Sequence, residues 1–259
     1  MSTAAFESLT LAQRVIIVTG AGSGIGRAAA TLFCRRGALV VAADVNDDQG
    51  ETLTAEILSA GGRAAYVHAD VSNEAEVEAM VHFAISEFGG LHGAFNNAGI
   101  ISRGSPLDAM PLHEWRRVID VNLTGIFLCL KYEIAHMMKN GGGSIVNTSS
   151  GSGVVGSPNM ADYVASKHGV IGLTRAAATD YSAKGIRTNA VLPGAIATPM
   201  LAGTMARDPL IRRMLEQGHP IGRLGQPNEI AEAAAWLLSD ASSFVTGLCL
   251  CVDGGYTAV

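Results

Sequence analysis

Charge is scarce in this chain. Charged residues make up 16% of it, against roughly 25% in an ordinary globular protein. The charge present leans acidic: 18 Lys and Arg stand against 23 Asp and Glu, a formal net of −5. Without a basic excess there is no electrostatic footprint for a phosphate backbone, so no nucleic-acid partner is expected. Four cysteines are too few for a disulfide scaffold. Cys249 and Cys251 share one strand face by their spacing. No Cys or His pair with finger-like spacing completes a metal site around them, so they read as buried reduced thiols and no metal is expected. Long apolar runs are also missing. The uncharged stretches 140–161 and 188–206 are long enough to cross a bilayer. The first is full of Gly, Ser and Asn, and the second carries Pro193 and Pro199. Neither is a continuous apolar helix. Met1 to Thr10 shows no positive cluster followed by an apolar run, hence no sign of a secretory leader. The expectation is a cytoplasmic protein without a membrane partner.

Apolar residues, by contrast, reach 48%, and glycine numbers 31 of 259. That is too apolar for a disordered chain and long enough for a large buried core. Short β-branched runs alternate with helical patterns throughout. Strands are expected at 15–19, 38–43, 64–68, 93–96, 144–148, 187–192 and 248–252. Helices are expected at 25–36, 49–59, 74–88, 114–139, 162–183 and 228–238. The strands are continuously apolar rather than alternating, which means burial on both faces, as in a parallel sheet wrapped by helices. No linker, low-complexity tract or repeat interrupts the order. The expectation is α/β: one domain over residues 1–259, a doubly wound Rossmann-type parallel sheet of about seven strands. The one long irregular stretch, 194–225, is too long for a plain connection and suggests a functional lid.

Between the first strand and helix lies Thr19-Gly20-Ala21-Gly22-Ser23-Gly24-Ile25-Gly26. Glycines permit a tight turn and close approach of a pyrophosphate, and the helix N-terminus offers it free N–H donors. The spacing is G-x-x-x-G-x-G, not the literal G-x-G-x-x-G, but its place after a strand and before a helix favours a dinucleotide site. Asp44 ends the second strand, where a carboxylate can accept from the adenosine ribose hydroxyls. It would repel the extra phosphate of NADP, and Ser23 and Val45 supply no positive charge to hold that phosphate. NAD is favoured. Two alternatives stay open: Asp44 closes a turn with Asn46 and Asp47, or Arg27, Arg35 and Arg36 admit some NADP.

Tyr163 and Lys167 stand at i and i+4 and share a helix face. A free phenol titrates at about 10; an ammonium beside it favours the phenolate. The phenol then serves as general base for an alcohol or general acid for a carbonyl. Ser150 follows the strand 144–148, at the sheet edge where such folds bind ligands, and its hydroxyl can bond a developing alkoxide. Asn96-Asn97-Ala98-Gly99 follows the fourth strand in the same layer. Asn122 sits inside a helical pattern that asparagine serves only moderately. Either its amide has a role or it is a solvent-facing or capping residue.

Together these motifs, spread over essentially the whole chain, resemble the short-chain dehydrogenase/reductase family. Residues 19–26 are similar to its cofactor turn and 96–99 to its N-N-A-G motif; Asn122, Ser150, Tyr163 and Lys167 are similar to its catalytic tetrad. The resemblance implies a hydride-transfer enzyme in which Tyr163 moves the proton. Lys167 would lower the Tyr163 pKa and bind the nicotinamide ribose, Ser150 would orient the substrate oxygen, and Asn122 would hold a water linking Lys167 to solvent. It implies cofactor contacts at Gly20, Ser23, Gly24, Ile25, Asp44, Asp70, Val71, Asn97, Ala98, Gly99, Tyr163, Lys167, Pro193, Gly194, Ile196 and Thr198. Asp70-Val71 would meet the adenine ring. Family members are usually homotetramers. Three phrases, Phe127-Leu128-Cys129-Leu130-Lys131-Tyr132, His219-Pro220-Ile221-Gly222-Arg223 and 236–247, look like bacterial catabolic enzymes that oxidise cyclic alcohols and diols.

For the substrate, Met200, Leu201, Met205, Leu210, Ile211 and Met214 would make an apolar, adaptable wall, with Ile101, Val154, Asn159 and Met160 opposite. The other reading is that the methionines merely pack the segment onto the core. Arg207, Arg212 and Arg213 read as a solvated face. A neutral cyclic or aromatic secondary alcohol, or its ketone, fits such a wall. Two other functions compete: an NADPH-dependent 3-oxoacyl-thioester reductase, and a dinucleotide-binding protein without chemistry. Asp44 and the acidic balance weigh against the first. The intact tetrad weighs against the second.

Overall fold

The computed structural model describes residues 10–205 and 209–258. Seven strands form one all-parallel sheet in the order β3-β2-β1-β4-β5-β6-β7. They are β1 (Val15–Thr19), β2 (Leu39–Asp44), β3 (Arg63–His68), β4 (Gly93–Asn96), β5 (Gly143–Thr148), β6 (Ile186–Pro193) and β7 (Cys249–Val252). The order reverses between β1 and β4, which opens a crevice beyond their carboxyl ends, where such sheets bind ligands.

Burial explains the sequence pattern. In β1 every residue is buried, but alternate side chains go to opposite layers. Ile16 and Val18 pack with Phe33, Ala30, Ile230 and Ala234, from α1 (Gly24–Arg35) and α9 (Pro227–Leu238). Val15 and Ile17 pack with Val77, Met80, Ile134 and Val170. Those come from α3 (Glu74–Phe88), α5 (Gly125–Met137) and α6 (Ala161–Tyr181). Each face therefore needs its own apolar set, and the strand reads as a continuous apolar run. The remaining helices are α2 (Asp47–Ser59), α4 (Leu112–Ile119), α7 (Pro199–Met205) and α8 (Pro209–Gln217).

Three expectations need correction. The helix expected over 114–139 is two, α4 and α5, joined by a π-helical turn at Asp120–Thr124 that contains Asn122. Such turns recur at functional sites. The stretch 194–225 is not irregular throughout: it holds α7 and α8. Of the cysteines, all free, Cys129 alone is buried; Cys34 and Cys249 are half-buried and Cys251 is exposed. β7 is an edge strand, which leaves Cys251 open to solvent. Among the described residues no helix is long and apolar enough to cross a membrane, and no cluster of potential ligands fit to hold a metal occurs. Arg207 lies outside the described residues; Arg212 and Arg213 are exposed, as expected.

Candidate active site

The glycine-rich turn is built by close approach. Gly24 has φ of +53°, a left-handed conformation that side chains disfavour. A Cβ on Gly26 would lie 2.0 Å from the Gly20 carbonyl oxygen, so only glycine lets α1 start against the turn. Ser23 caps α1 with extended backbone but no side-chain hydrogen bond. The helix N-terminus thus keeps N–H donors and positive dipole for an anion. Thr19 ties this turn to the neighbouring crest. Its Oγ1 accepts from the backbone N–H of Asn97 at 2.9 Å and of Ala98 at 3.0 Å, and Asn97 Nδ2 donates to the Thr19 carbonyl at 3.1 Å. Thr198 comes down over Gly24: its Cγ2 would lie 3.2 Å from a Cβ there.

Asp44 combines two readings. It does close its turn, since Oδ1 accepts from Asn46 N at 2.9 Å. Its Oδ2 also accepts from Gly22 N at 2.8 Å, and the carboxylate lies on the crevice wall. Asp70 is similarly braced: Oδ1 accepts from both N–H and hydroxyl of Ser72.

The other end of the crevice carries the titratable group. Tyr163 and Lys167 lie one turn apart at the start of α6. Lys167 is buried, and its Nζ donates to the Thr148 carbonyl at 2.9 Å. The same Nζ sits 5.6 Å from the Tyr163 ring centroid. Burial pulls the Lys167 pKa down to about 8. Burial also pushes the Tyr163 phenol above its usual value, while the Ser150 hydroxyl opposes that rise. Ser150 thus favours the phenolate, and the Lys167 ammonium over the ring is a cation on the same side. Ser150 Oγ accepts from Ser152 N at 3.1 Å, which leaves its O–H to donate toward the Tyr163 phenol. Asn122 is fully buried behind them. Its Oδ1 accepts from Ile100 N at 2.8 Å and its Nδ2 donates to Ile100 O at 2.9 Å. The π-helical turn places this amide against the 97–101 loop, so it is neither solvent-facing nor a helix cap.

One cavity of about 600 Å³ joins both ends, a size suited to a ligand site. All sixteen residues expected to hold the cofactor line it, as do Ser150, Tyr163 and Lys167. Asn122 lies one layer behind the wall. Of the expected substrate residues, Ile101, Met160, Met200 and Leu201 line it. Val154, Asn159, Met205, Leu210, Ile211 and Met214 do not. Val154 and Asn159 are exposed; Asn159 adopts φ of +59° and contributes its carbonyl to Ser105 N. Met205 ends α7 away from the wall. The structure adds residues that spacing gave no reason to choose, among them Ser152, Ser157, Leu215, His219 and Tyr256. His219 pins this wall: Nε2 accepts from Ala195 N at 3.0 Å, and Nδ1 bonds the Leu215 carbonyl at 2.6 Å.

Comparison with known proteins agrees with this geometry. A family described as Enoyl-(Acyl carrier protein) reductase matches residues 20–257. A 2,5-dichloro-2,5-cyclohexadiene-1,4-diol dehydrogenase of Sphingobium indicum is 52% identical over 250 residues, covering 96% of this chain and 99% of the relative. The chain belongs to the short-chain dehydrogenase/reductase family. It is therefore an oxidoreductase of a family that uses nicotinamide cofactors. A cyclohexanol dehydrogenase of Acinetobacter sp. is 46% identical over 246 residues, 95% of this chain and 96% of that one. Among solved structures, a 3-ketoacyl-(acyl-carrier-protein) reductase from Brucella melitensis complexed with NADH superposes with a TM-score of 0.89. It is 36% identical, over 95% of this chain and 99% of that one.

Proposed function

We propose that this chain is an NAD-dependent dehydrogenase of neutral cyclic or aromatic secondary alcohols, reversible as a ketoreductase. The observation that carries this reading is the meeting of Ser150, Tyr163 and Lys167 in the same cavity as the open helix N-terminus and Asp44. The Ser150 hydroxyl, beside the Tyr163 phenol, orients the substrate oxygen. Tyr163 accepts the alcohol proton in oxidation and returns it in reduction. Lys167 holds positive charge on the phenol's side of the wall and a ribose hydroxyl beyond it. The nicotinamide supplies the hydride acceptor or donor when bound. Asn122 fixes Ile100 and with it the loop under the reacting groups; a water held between Asn122 and Lys167 would link the lysine to solvent.

Asp44 supports NAD over NADP. Among the described residues, Lys167, at the far end, is the one Lys or Arg on the cavity wall; Arg27, which reaches the Gly22 carbonyl beside Asp44, is already paired with Glu56. Ile101, Met160, Met200, Leu201 and Leu215 give the substrate end an apolar surface, which suits an uncharged ring. The names of the Sphingobium and Acinetobacter relatives support the same class. We take residues 1–259 as one catalytic domain with 194–225 as its substrate loop, working in the cytoplasm as a homotetramer. Half-exposed Phe127 on α5 and fully exposed Phe244 are apolar surface that subunit contacts would cover; light scattering in solution tests that state.

The substrate test is NADH formation from a panel of cyclohexanols, cyclic diols, phenylethanols, steroids and acyl thioesters, each with NAD and with NADP. Turnover of neutral cyclic alcohols with NAD is expected. Activity confined to NADPH and thioesters would contradict the reading of both Asp44 and the apolar wall.

A further inference from the structure

The loop after β5 carries a second pair of hydroxyls beside the proposed reacting group. Ser152 gives its backbone N–H to Ser150 Oγ at 3.1 Å. Its own side chain reaches across the loop, where Ser152 Oγ and Ser157 Oγ are 2.9 Å apart. Both serines line the cavity and are half-buried. One hydroxyl of such a pair donates to the other. The second proton and the spare lone pairs are left for a third oxygen.

Most other polar groups near this wall are already committed. Ser149 Oγ donates to the Lys167 carbonyl, Lys167 Nζ to the Thr148 carbonyl, and both ring nitrogens of His219 are bonded. The same cavity carries the apolar Ile101, Met160, Met200, Leu201 and Leu215. A polar pair in an apolar pocket rewards a ligand oxygen placed against it and penalises a ligand that covers it with carbon.

We infer that Ser152 and Ser157 bind a second oxygen of the substrate, so that the pocket selects cyclic diols and hydroxyketones over simple cyclic alcohols. This rests on the proposal that Ser150 and Tyr163 hold the reacting oxygen. The pair is a specificity device and takes no part in proton or hydride transfer. Tyr256, whose ring stacks on His219 at 5.2 Å between centroids, is the competing donor.

The test compares cyclohexanol with the cis and trans isomers of cyclohexane-1,2-diol and cyclohexane-1,4-diol. The quantity read is the ratio of kcat/KM for the best diol to that for cyclohexanol, in which general losses cancel. The ratio is expected to exceed unity in the native enzyme. It should fall about tenfold in Ser157→Ala and in the Ser152→Ala, Ser157→Ala double variant, the size of one lost hydrogen bond. Ser157→Thr, which keeps the hydroxyl, should retain it. A ratio unmoved by the serine changes while cyclohexanol is turned over overturns the inference alone. So does a ratio that falls only in Tyr256→Phe. Absence of turnover of every alcohol defeats the underlying reading, and this one with it.

Discussion

Lys167 directs its ammonium to the Thr148 carbonyl, 2.9 Å away, rather than to the Tyr163 phenol. The lysine is thereby tied to the end of β5, and burial holds its pKa down to about 8. Its positive charge at neutral pH is held against a desolvation cost. The unfolded lysine keeps its ordinary higher pKa, so between about 8 and 10.5 the unfolded chain binds more protons than the folded one. Stability from this group therefore rises with pH across that window, and below it the penalty is complete. Lys167→Met should stabilise the free protein at pH 7, by at most about 3 kcal/mol. The same change should lower kcat/KM by about a hundredfold or more. Thermal melts at pH 7 and pH 10 beside steady-state rates check both signs.

Tyr163 adds a pH prediction of its own. Burial raises its pKa in the free protein, so phenolate is scarce at neutral pH. Alcohol oxidation needs that base, and its kcat/KM should climb as pH rises above neutrality. Ketone reduction needs the protonated phenol and should fall over the same range. Ser150→Ala removes a group that favours the phenolate and should move both limbs to higher pH. Paired pH profiles in the two directions read this directly.

Glu133 lies fully buried under the sheet, where Oε2 accepts from Asn96 Nδ2 at 3.0 Å. Asn96 Nδ2 also reaches Asn147 Oδ1 at 3.1 Å, so the group links β4 to β5. Burial raises the Glu133 carboxyl to about 7 from 4.5. The folded chain then binds more protons than the unfolded one between these values, and stability falls as pH rises through them. Glu133→Gln keeps an acceptor for Asn96 and drops the charge. It should flatten that slope and gain up to about 3 kcal/mol at pH 8. Urea midpoints at pH 5 and pH 8 measure the difference.

Asn122 and Ile100 exchange two hydrogen bonds. Asn122→Ala would leave both Ile100 backbone groups without that partner, at a cost of about 1–3 kcal/mol. Because Ile100 and Ile101 line the cavity, kcat should drop more than the KM for NAD changes. Kinetics of the variant, with circular dichroism to check folding, give the split.

Asp44 carries the proposed preference for NAD. Asp44→Ala removes the acceptor for Gly22 N and the negative charge at that end of the cavity. The KM for NAD should rise about tenfold, and discrimination against NADP should shrink by about two orders of magnitude. Rates with both cofactors at saturating alcohol provide the ratio.

The sheet was legible because burial on both faces leaves a continuous apolar run, as in β1 and β2. Helix ends moved by a residue or two, but the π-helical turn at Asn122 was hidden. Apolar periodicity runs on through 114–139, and the amide's partner, Ile100, is far away in sequence. The residues expected at the proposed nucleotide end do line the cavity, because they sit at strand ends or in the glycine turn. The substrate end was not. Whether Val154, Asn159 or Met205 faces inward depends on loop direction, and Asn159 turns outward through a left-handed backbone. Ser152, Ser157 and His219 gave no signal in spacing, since their geometry comes from contacts between separate segments. The i, i+4 spacing did put Lys167 beside the Tyr163 ring; its bond to the Thr148 carbonyl was hidden, because that partner lies in another segment.

The most direct test of the central claim is turnover of a cyclic secondary alcohol with NAD by the native protein and by Tyr163→Phe. NADH binding to each is followed by fluorescence in parallel. The account predicts turnover in the native protein and a loss of at least about a thousandfold in the variant, with NADH affinity within a few-fold. Equal turnover in the two proteins would contradict it.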